Sequence, residues 1–313
     1  MHHLSKIVLA LALTLAFIPS AGRGQDPLFK AESRLVVLHA SVADRSGKLI
    51  TNLPREAFKV YENNVEQEIK IFRREDIPVS LGIVVDNSGS MRPKRPEVIS
   101  AVLAFAHSSN PEDQMFVVSF NENVSFGLPD DVPFTDKEAQ LRAALSKIAA
   151  DGRTALYDAV AAALEHLKKG NRDKKVLIVI SDGGDNASKH NLAQIMATAG
   201  QSDAIIYTIG VFDENDPDRN PRVLKRLARA TGGEAFLPGS VKEIYPICTR
   251  IARDIRNQYS LTYLPTNRRQ DGTYRVITVN AGTPGRERLL VRTRAGYYAP
   301  LKSQPLPVAR ETP

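Results

Sequence analysis

Three short segments carry side chains that could bind a metal ion. Residues 81–91 read Leu-Gly-Ile-Val-Val-Asp-Asn-Ser-Gly-Ser-Met, an apolar run that ends in Asp86, Ser88 and Ser90. A carboxylate and two hydroxyls are hard oxygen donors, the kind that Mg²⁺, Mn²⁺ and Ca²⁺ prefer. The segment contains no cysteine or histidine that would favour zinc. The alternative is a polar turn in which Ser88 or Ser90 caps the helix that follows.

The other two segments add a hydroxyl and a second carboxylate. In residues 152–159, Thr154 stands at the start of an alanine-rich stretch with helical character. In residues 176–186, an apolar run ends in Ser-Asp-Gly, with Asp182 as its carboxylate. Open α/β sheets bind ligands at the carboxyl ends of their strands, so we expect these groups at one edge. The sequence therefore predicts a metal site made of Asp86, Ser88, Ser90, Thr154 and Asp182.

The order Asp86-x-Ser88-x-Ser90, Gly-x-Thr154 and Ser-Asp182-Gly resembles the metal-ion-dependent adhesion site of the von Willebrand factor A domain family. The resemblance implies that Ser88, Ser90 and either Thr154 or Asp182 coordinate Mg²⁺ directly. Asp86 and the remaining one of the two would act through water. It also implies that a protein partner offers a Glu or Asp side chain to the metal. Mn²⁺ and Ca²⁺ are the alternatives to Mg²⁺.

Strand-like and helical patterns alternate between residues 78 and 257. This alternation predicts an α/β fold, doubly wound, with a mostly parallel six-stranded sheet and helices on both faces, as in Rossmann-like domains. About 180 residues are enough to bury a core of their own. The predicted helices span residues 97–108, 136–149, 154–168, 192–199, 221–231 and 241–256.

The two flanks of this domain have the alternation of short β-strands instead. Neither residues 25–77 nor residues 258–300 contain enough strands for a stable sheet, but together they have five or six. We predict that the flanks pair into one smaller β-sandwich-like module, with the α/β domain inserted between them. Residues 53–63 and the closing Arg-Ala-Gly-Tyr-Tyr-Ala also resemble exported bacterial VWFA-related proteins. Residues 301–313, rich in Pro and polar residues, are predicted to be disordered.

The first 24 residues have the features of an export signal. Lys6 precedes the apolar run Ile7–Ile18, and small residues follow it. A helix of that length reaches only about 18 Å, too short to span a bilayer comfortably. We predict a cleaved signal peptide over residues 1–24 and a periplasmic or secreted protein. Cys248 is the only cysteine and is expected to be a buried structural thiol.

The charge balance is mildly basic. The formal net charge is +7, and without residues 1–24 it is +5, from 40 basic and 35 acidic residues. Without Trp, and without basic runs interleaved with aromatic residues, the sequence predicts no nucleic-acid partner and at most a peripheral contact with a membrane. Two groups of arginines have the spacing of a basic face: Arg250, Arg253 and Arg256, and Arg286, Arg288, Arg292 and Arg294. A solvated surface is the preferred interpretation of both, and an acidic partner or an anionic lipid surface is the alternative.

An acidic segment follows a predicted parallel strand and is therefore expected on the same face as Asp86. Its acidic residues are Asp213, Glu214, Asp216 and Asp218. Three interpretations stay open: a partner-selecting loop beside the metal, a second Ca²⁺ site, or a solvated loop. Asp185 is expected to begin the loop before the next helix. Asp158 is expected to form hydrogen bonds to a loop rather than to bind the metal.

The sequence contains no Ser/His/Asp or Cys/His pattern and no phosphate-binding loop, so we predict no catalytic residues. The leading hypothesis is an exported, non-catalytic protein-binding module. It would capture an acidic side chain of a protein partner through a divalent metal. The alternative is a cell-envelope scaffold or assembly factor in which the metal site is structural or vestigial.

Overall fold

The computed structural model describes residues 35–74, 76–146, 151–212, 218–282 and 289–301. The predicted signal peptide and all but the first residue of the predicted tail lie outside these ranges. Within the ranges, no helix is both long and apolar enough to cross a membrane.

The described chain begins and ends with strands, and strands alternate with helices between them. The N-terminal flank forms β1 (Val36–Ala43), β2 (Phe58–Glu62), β3 (Val65–Gln67) and β4 (Ile69–Arg73). The α/β domain follows with β5 (Val79–Asp86), α1 (Arg95–Ser108), β6 (Gln114–Phe120), β7 (Val124–Phe126), α2 (Glu138–Ser146), α3 (Leu156–Leu167), β8 (Lys174–Ser181), α4 (Leu192–Gln201), β9 (Ile205–Gly210), α5 (Pro221–Thr231), β10 (Ala235–Phe236) and α6 (Ile244–Arg256). The C-terminal flank forms β11 (Tyr259–Tyr263), β12 (Tyr274–Ala281), β13 (Leu290–Arg292) and β14 (Gly296–Tyr298).

The central sheet has six strands in the order β10-β9-β8-β5-β6-β7. All neighbours pair in parallel except β7, which is an antiparallel edge strand. Every residue of β5 is buried, as expected for a central strand covered on both faces. The helices form two packed groups, α1 with α2 and α6, and α3 with α4 and α5. The predicted α/β fold class is confirmed.

The two flanks interleave into two antiparallel four-stranded sheets. Their strand orders are β13-β1-β11-β4 and β14-β12-β2-β3, so each sheet takes strands from both flanks. Their inner faces share one hydrophobic core, which includes Leu38 and Leu261 from the first sheet and Val60 and Val279 from the second. This packing of two sheets is a β-sandwich.

The sandwich contains more strands than the five or six that the sequence predicts: eight lie among the described residues. One cause is the break at Glu68, which divides residues 65–73 into β3 of one sheet and β4 of the other. The other is β14, which is too short to show an alternating pattern. Cys248 is buried in α6, as predicted.

A buried polar network joins the sandwich to the α/β domain. The Tyr207 hydroxyl donates to Asp254 Oδ2 at 2.6 Å, and Arg292 of β13 donates to Asp254 and to Glu234. Gln258 Nε2 donates to the Tyr207 hydroxyl oxygen at 3.2 Å and to Ser41 Oγ at 3.1 Å. Burial raises the pKa of Tyr207 well above its ordinary value, so this hydroxyl stays protonated and can donate.

Four of the arginines in the two predicted groups pair with acidic side chains of other elements. Arg250 pairs with Glu234 and Arg256 with Asp76, while Arg294 pairs with Asp203. The arginines therefore link elements of the fold, in addition to Arg292 in the network above. Arg286 and Arg288 lie outside the described residues. Spacing within one element cannot show which acidic side chains other elements bring alongside.

The shared core predicts that a cavity in β11 destabilises the whole sandwich. Leu261 is fully buried in the middle strand between β1 and β4. Leu261→Ala should lower the free energy of unfolding by about 3 kcal/mol, measured by urea denaturation. The exposed Arg268→Ala should change it by less than about 0.5 kcal/mol. Equal effects of the two variants would contradict the shared core.

His39 of β1 predicts a loss of stability in acid. Burial, with Lys174 and Arg294 nearby, lowers the pKa of His39 to about 3. The imidazole therefore binds a proton near pH 6.5 in the unfolded chain but only near pH 3 in the folded chain. The free energy of unfolding should fall as the pH drops from about 6.5 to about 3. His39→Gln should reduce that slope by up to about 1.4 kcal/mol per pH unit in denaturation measured at several pH values. His107→Gln removes an exposed imidazole, since the His107 side chain is 84% exposed, and is the control for the loss of one histidine.

Candidate functional site

Two neighbouring parallel strands bring the predicted acidic residues to one edge of the sheet. Asp86 is the last residue of β5, and Asp182 directly follows Ser181, the last residue of β8. The ladder runs in register up to the pair of Val85 and Ile180, so the two strands end side by side. Asp86 and Asp182 are both buried. This edge is formed by the carboxyl ends of the parallel strands, where open α/β sheets bind ligands.

Asp86 is held from behind by hydrogen bonds. Its Oδ1 accepts the backbone N–H of Ser88 at 2.9 Å, and its Oδ2 accepts the Ser181 hydroxyl at 2.7 Å. The pKa of Asp86 is raised to about 6, mainly by burial and to a smaller extent by the nearby Asp182 carboxylate, while the hydrogen bonds from Ser88 and Ser181 oppose the rise. A cation at this edge would favour the ionised form of both carboxylates.

Three predicted residues touch one another in front of Asp86. The hydroxyl oxygens of Ser88 and Ser90 lie 3.2 Å apart, and the Ser90 hydroxyl donates to Asp182 Oδ2 at 3.1 Å. Asp182 Oδ1 accepts the N–H of Gly184 at 2.9 Å, which fixes the carboxylate. Ser88 is buried and Ser90 is partly exposed, so the group opens to solvent at Ser90.

The alternative role of these serines as helix caps is not seen in the structure. Ser88 precedes a 3₁₀ helix over Gly89–Lys94, but its side chain makes no capping hydrogen bond there. Ser90 lies inside that helix, and its hydroxyl is directed to Asp182 instead.

The loop of Thr154 is held next to this group through its backbone. The N–H of Gly89 donates to the carbonyl of Gly152 at 3.2 Å. The Thr154 N–H donates to Asn186 Oδ1 at 2.9 Å, and the Thr154 carbonyl accepts the N–H groups of Asn186 and Ala187. Among the described residues, no hydrogen bond joins the Thr154 hydroxyl to the three side chains in contact. The structure thus brings four of the five predicted residues into one connected group and the fifth alongside it.

Asn186 is a residue of the site that sequence reasoning missed. Besides holding Thr154, its amide donates to Asp218 Oδ2 at 2.8 Å, so it links three loops. In the sequence, the signal for Asn186 is its polar side chain four positions after Asp182. Only the tertiary structure shows which groups that side chain contacts. Asp213, Glu214 and Asp216 of the acidic segment lie outside the described residues.

The other nearby acidic residues hold loops, as expected. Asp185 Oδ2 accepts the N–H of Tyr157 at 2.9 Å and the hydroxyl of Ser188 at 2.6 Å. Asp158 accepts the N–H groups of Lys189 and His190. Across the described ranges, no group of three or more His, Cys, Asp or Glu side chains could hold a metal. The predicted site is of another kind, with two carboxylates and three hydroxyls.

A comparison with protein families agrees with this arrangement. The family model of the von Willebrand factor type A domain matches residues 81–184, from the start of the Asp86 motif to the Asp182 motif. This stretch belongs to a von Willebrand factor type A domain.

Known proteins similar to the chain differ widely from it in sequence. An uncharacterized protein of Synechocystis sp. is 23% identical over 160 residues, which are 50% of this chain and 37% of that protein. The chain thus covers well under two thirds of that relative. A von Willebrand factor type A structure from Catenulispora acidiphila has a TM-score of 0.52 at 14% identity, covering 77% of this chain and 72% of the other. The likeness at this identity shows the fold.

A second solved structure matches a little more than half of the chain. The von Willebrand factor domain of the type V pili tip protein Mfa5 from Porphyromonas gingivalis has a TM-score of 0.48 at 14% identity. The match covers 57% of this chain and 95% of that domain.

The hydrogen bonds of Asn186 predict how the A domain keeps Thr154 in place. Asn186→Ala removes the acceptor of the Thr154 N–H, so hydrogen exchange of this amide should become about fivefold faster, the equivalent of one hydrogen bond of about 1 kcal/mol. The amide of Val179, at the centre of the sheet, is the internal control and should keep its rate. An unchanged rate at Thr154 would contradict the bond.

Proposed function

We propose that this protein is a non-catalytic binding module that captures an acidic side chain of a protein partner through a divalent metal. The observation that carries the proposal is the contact of Ser88, Ser90 and Asp182, with Asp86 fixed directly behind them. A von Willebrand factor type A domain with these residues at the edge of its sheet supports it. Export to the periplasm or the outside belongs to the same proposal and rests on residues 1–24.

The donor set fits Mg²⁺, with Mn²⁺ or Ca²⁺ as alternatives. Carboxylate and hydroxyl oxygens are hard donors, and Mg²⁺ is held in proteins by few carboxylates while keeping several waters. Ser88 and Ser90 would hold the ion with Asp182 or Thr154, and Asp86 would act through water. The bound ion would act as a Lewis acid that attracts a carboxylate.

The protein residues determine which ligand can complete the site. Asp86 and Asp182 are buried and turned toward hydrogen-bond donors of their own chain, whereas Ser90 is partly exposed. A ligand must therefore approach from the side of Ser90. A Glu or Asp side chain of a partner meets this requirement, since its carboxylate is a hard oxygen donor that can enter the coordination shell of the ion.

A second candidate function is a scaffold or assembly factor in which the metal site is structural or vestigial. The network of Tyr207, Asp254 and Arg292 favours it, because it joins the sandwich and the A domain through buried, charged hydrogen bonds. In a scaffold the sandwich would dock to the partner, and binding would not require metal.

The proposal predicts that Asp86→Ala loses the metal. Isothermal titration of residues 25–313 with Mg²⁺ or Mn²⁺ should give 1:1 binding, and Asp86→Ala should weaken it at least about tenfold, the effect typical of groups that orient metal ligands. The control is Asp203→Ala, which removes an exposed carboxylate that pairs with Arg294, a residue outside the predicted metal site. It should bind within about twofold of the unchanged protein. Circular dichroism verifies that both variants are folded.

Partner capture distinguishes the two candidate functions. Proteins captured by the unchanged chain in Mg²⁺ should be released by EDTA and should not be captured by Asp86→Ala. Capture that resists EDTA and tolerates Asp86→Ala would contradict the metal-dependent function and would favour the scaffold.

A further inference from the structure

The outer face of α5 carries a row of four cationic side chains, Arg222, Lys225, Arg226 and Arg229, which we name the α5 stripe. All four are exposed. Lys225, Arg226 and Arg229 follow Arg222 by three, four and seven residues, which places all four on one face of the helix. The opposite face is buried and apolar, with Val223, Leu224 and Leu227 against the sheet. The helix contains no acidic residue.

Within the described part of the chain, the stripe contrasts with the arginines that link elements of the fold, because none of its side chains pairs with an acidic side chain. Arg250, Arg256, Arg292 and Arg294 all form salt bridges. The neighbouring helix α4 has no charged residue. Like charges on one helix face repel each other, and a bound anionic partner would relieve this repulsion.

The stripe starts at the proposed metal site and leads away from it. Just before α5, the N–H of Asn220 donates to the carbonyl of Asp182 at 3.0 Å. Gly183 has φ +82°, and a Cβ there would lie 2.4 Å from the carbonyl oxygen of Asn220, so only glycine permits this approach. At the other end, the carbonyl of Ala230 accepts the N–H of Ala295 from the sandwich. Eleven helical residues span about 16 Å, which is the reach of about five residues of extended chain.

We propose that the α5 stripe binds an acidic segment of the partner whose carboxylate reaches the metal. This inference deepens the proposed function and rests on it for the link between the two contacts. The stripe is one helix wide and begins at Asp182, which suits a protein segment that runs from the metal along α5. α5 exposes no large apolar side chain that could enter a bilayer, so a membrane surface is the less suitable partner.

The test measures binding of a fluorescent decaglutamate peptide to the full chain, in Mg²⁺ and in EDTA, at several salt concentrations. The variant combines Lys225→Gln, Arg226→Gln and Arg229→Gln, the three cations farthest along the chain from the acidic segment 213–218. The matched control combines Lys242→Gln, Arg253→Gln and Arg268→Gln, which removes the same charge at exposed positions elsewhere. Circular dichroism compares the folding of the two triple variants.

The stripe variant should bind the peptide about tenfold more weakly in both buffers and with a smaller salt dependence, since each exposed ion pair contributes a factor of about two to three. The control variant should bind the peptide with an affinity within about twofold of that of the unchanged protein. Equal weakening in both triple variants would overturn the proposal, because net charge alone would then explain binding. Binding to phosphatidylglycerol vesicles tests a membrane surface as the alternative partner. The proposal would also be overturned if the stripe variant bound the peptide as the unchanged protein does but no longer bound these vesicles.

The two proposals fail separately in this experiment. If Mg²⁺ adds no affinity in the unchanged protein and Asp86→Ala has no effect, the metal-dependent function fails. If the stripe variant still binds the peptide more weakly than the control variant under those conditions, the proposal of an anion-binding surface on α5 stands. If Mg²⁺ strengthens binding and the stripe variant equals the control, the metal function stands and the stripe proposal fails.

Discussion

The site depends on the parallel pairing of β5 with β8. These two buried strands run in register, and their ends place Asp86 next to Ser181 and Asp182. A shift of one residue would turn Asp86 to the other face of the sheet, because side chains alternate along a strand. The apolar packing of the strands thus fixes the position of two carboxylates to within hydrogen-bond distance of their partners.

The same pairing places a carboxylate where burial disfavours its charge. Asp86 is fully buried, and its pKa is raised to about 6 despite two hydrogen bonds. Buried charges in proteins are normally paired or bound to metals, and no cationic side chain of the described residues forms a salt bridge with Asp86. A divalent ion at this edge would supply the missing opposite charge, which gives a physical reason for the serine-rich surroundings.

The sandwich and the A domain are connected by charged groups away from this edge. Arg292 reaches from β13 to Asp254 of α6 and to Glu234, and Gln258 joins Tyr207 to Ser41. Removing one partner of such a buried network leaves another without its hydrogen bonds, which is costly. The network therefore fixes how the flanks sit against the α/β domain.

Sequence alone determined the parts of this protein that depend on local pattern. The period of apolar residues gave the alternating strands and helices, and the motifs around Asp86, Thr154 and Asp182 indicated one edge of a parallel sheet. Tertiary structure decided what depends on neighbours distant in the chain. Asn186 holds Thr154 through a contact between two loops, and Arg250 and Arg292 are paired because α6 and β13 meet Glu234. The α5 cations differ from them only because the fold brings no described acidic side chain into a salt bridge with them. Spacing within one element defines a face, but long-range packing defines what that face meets.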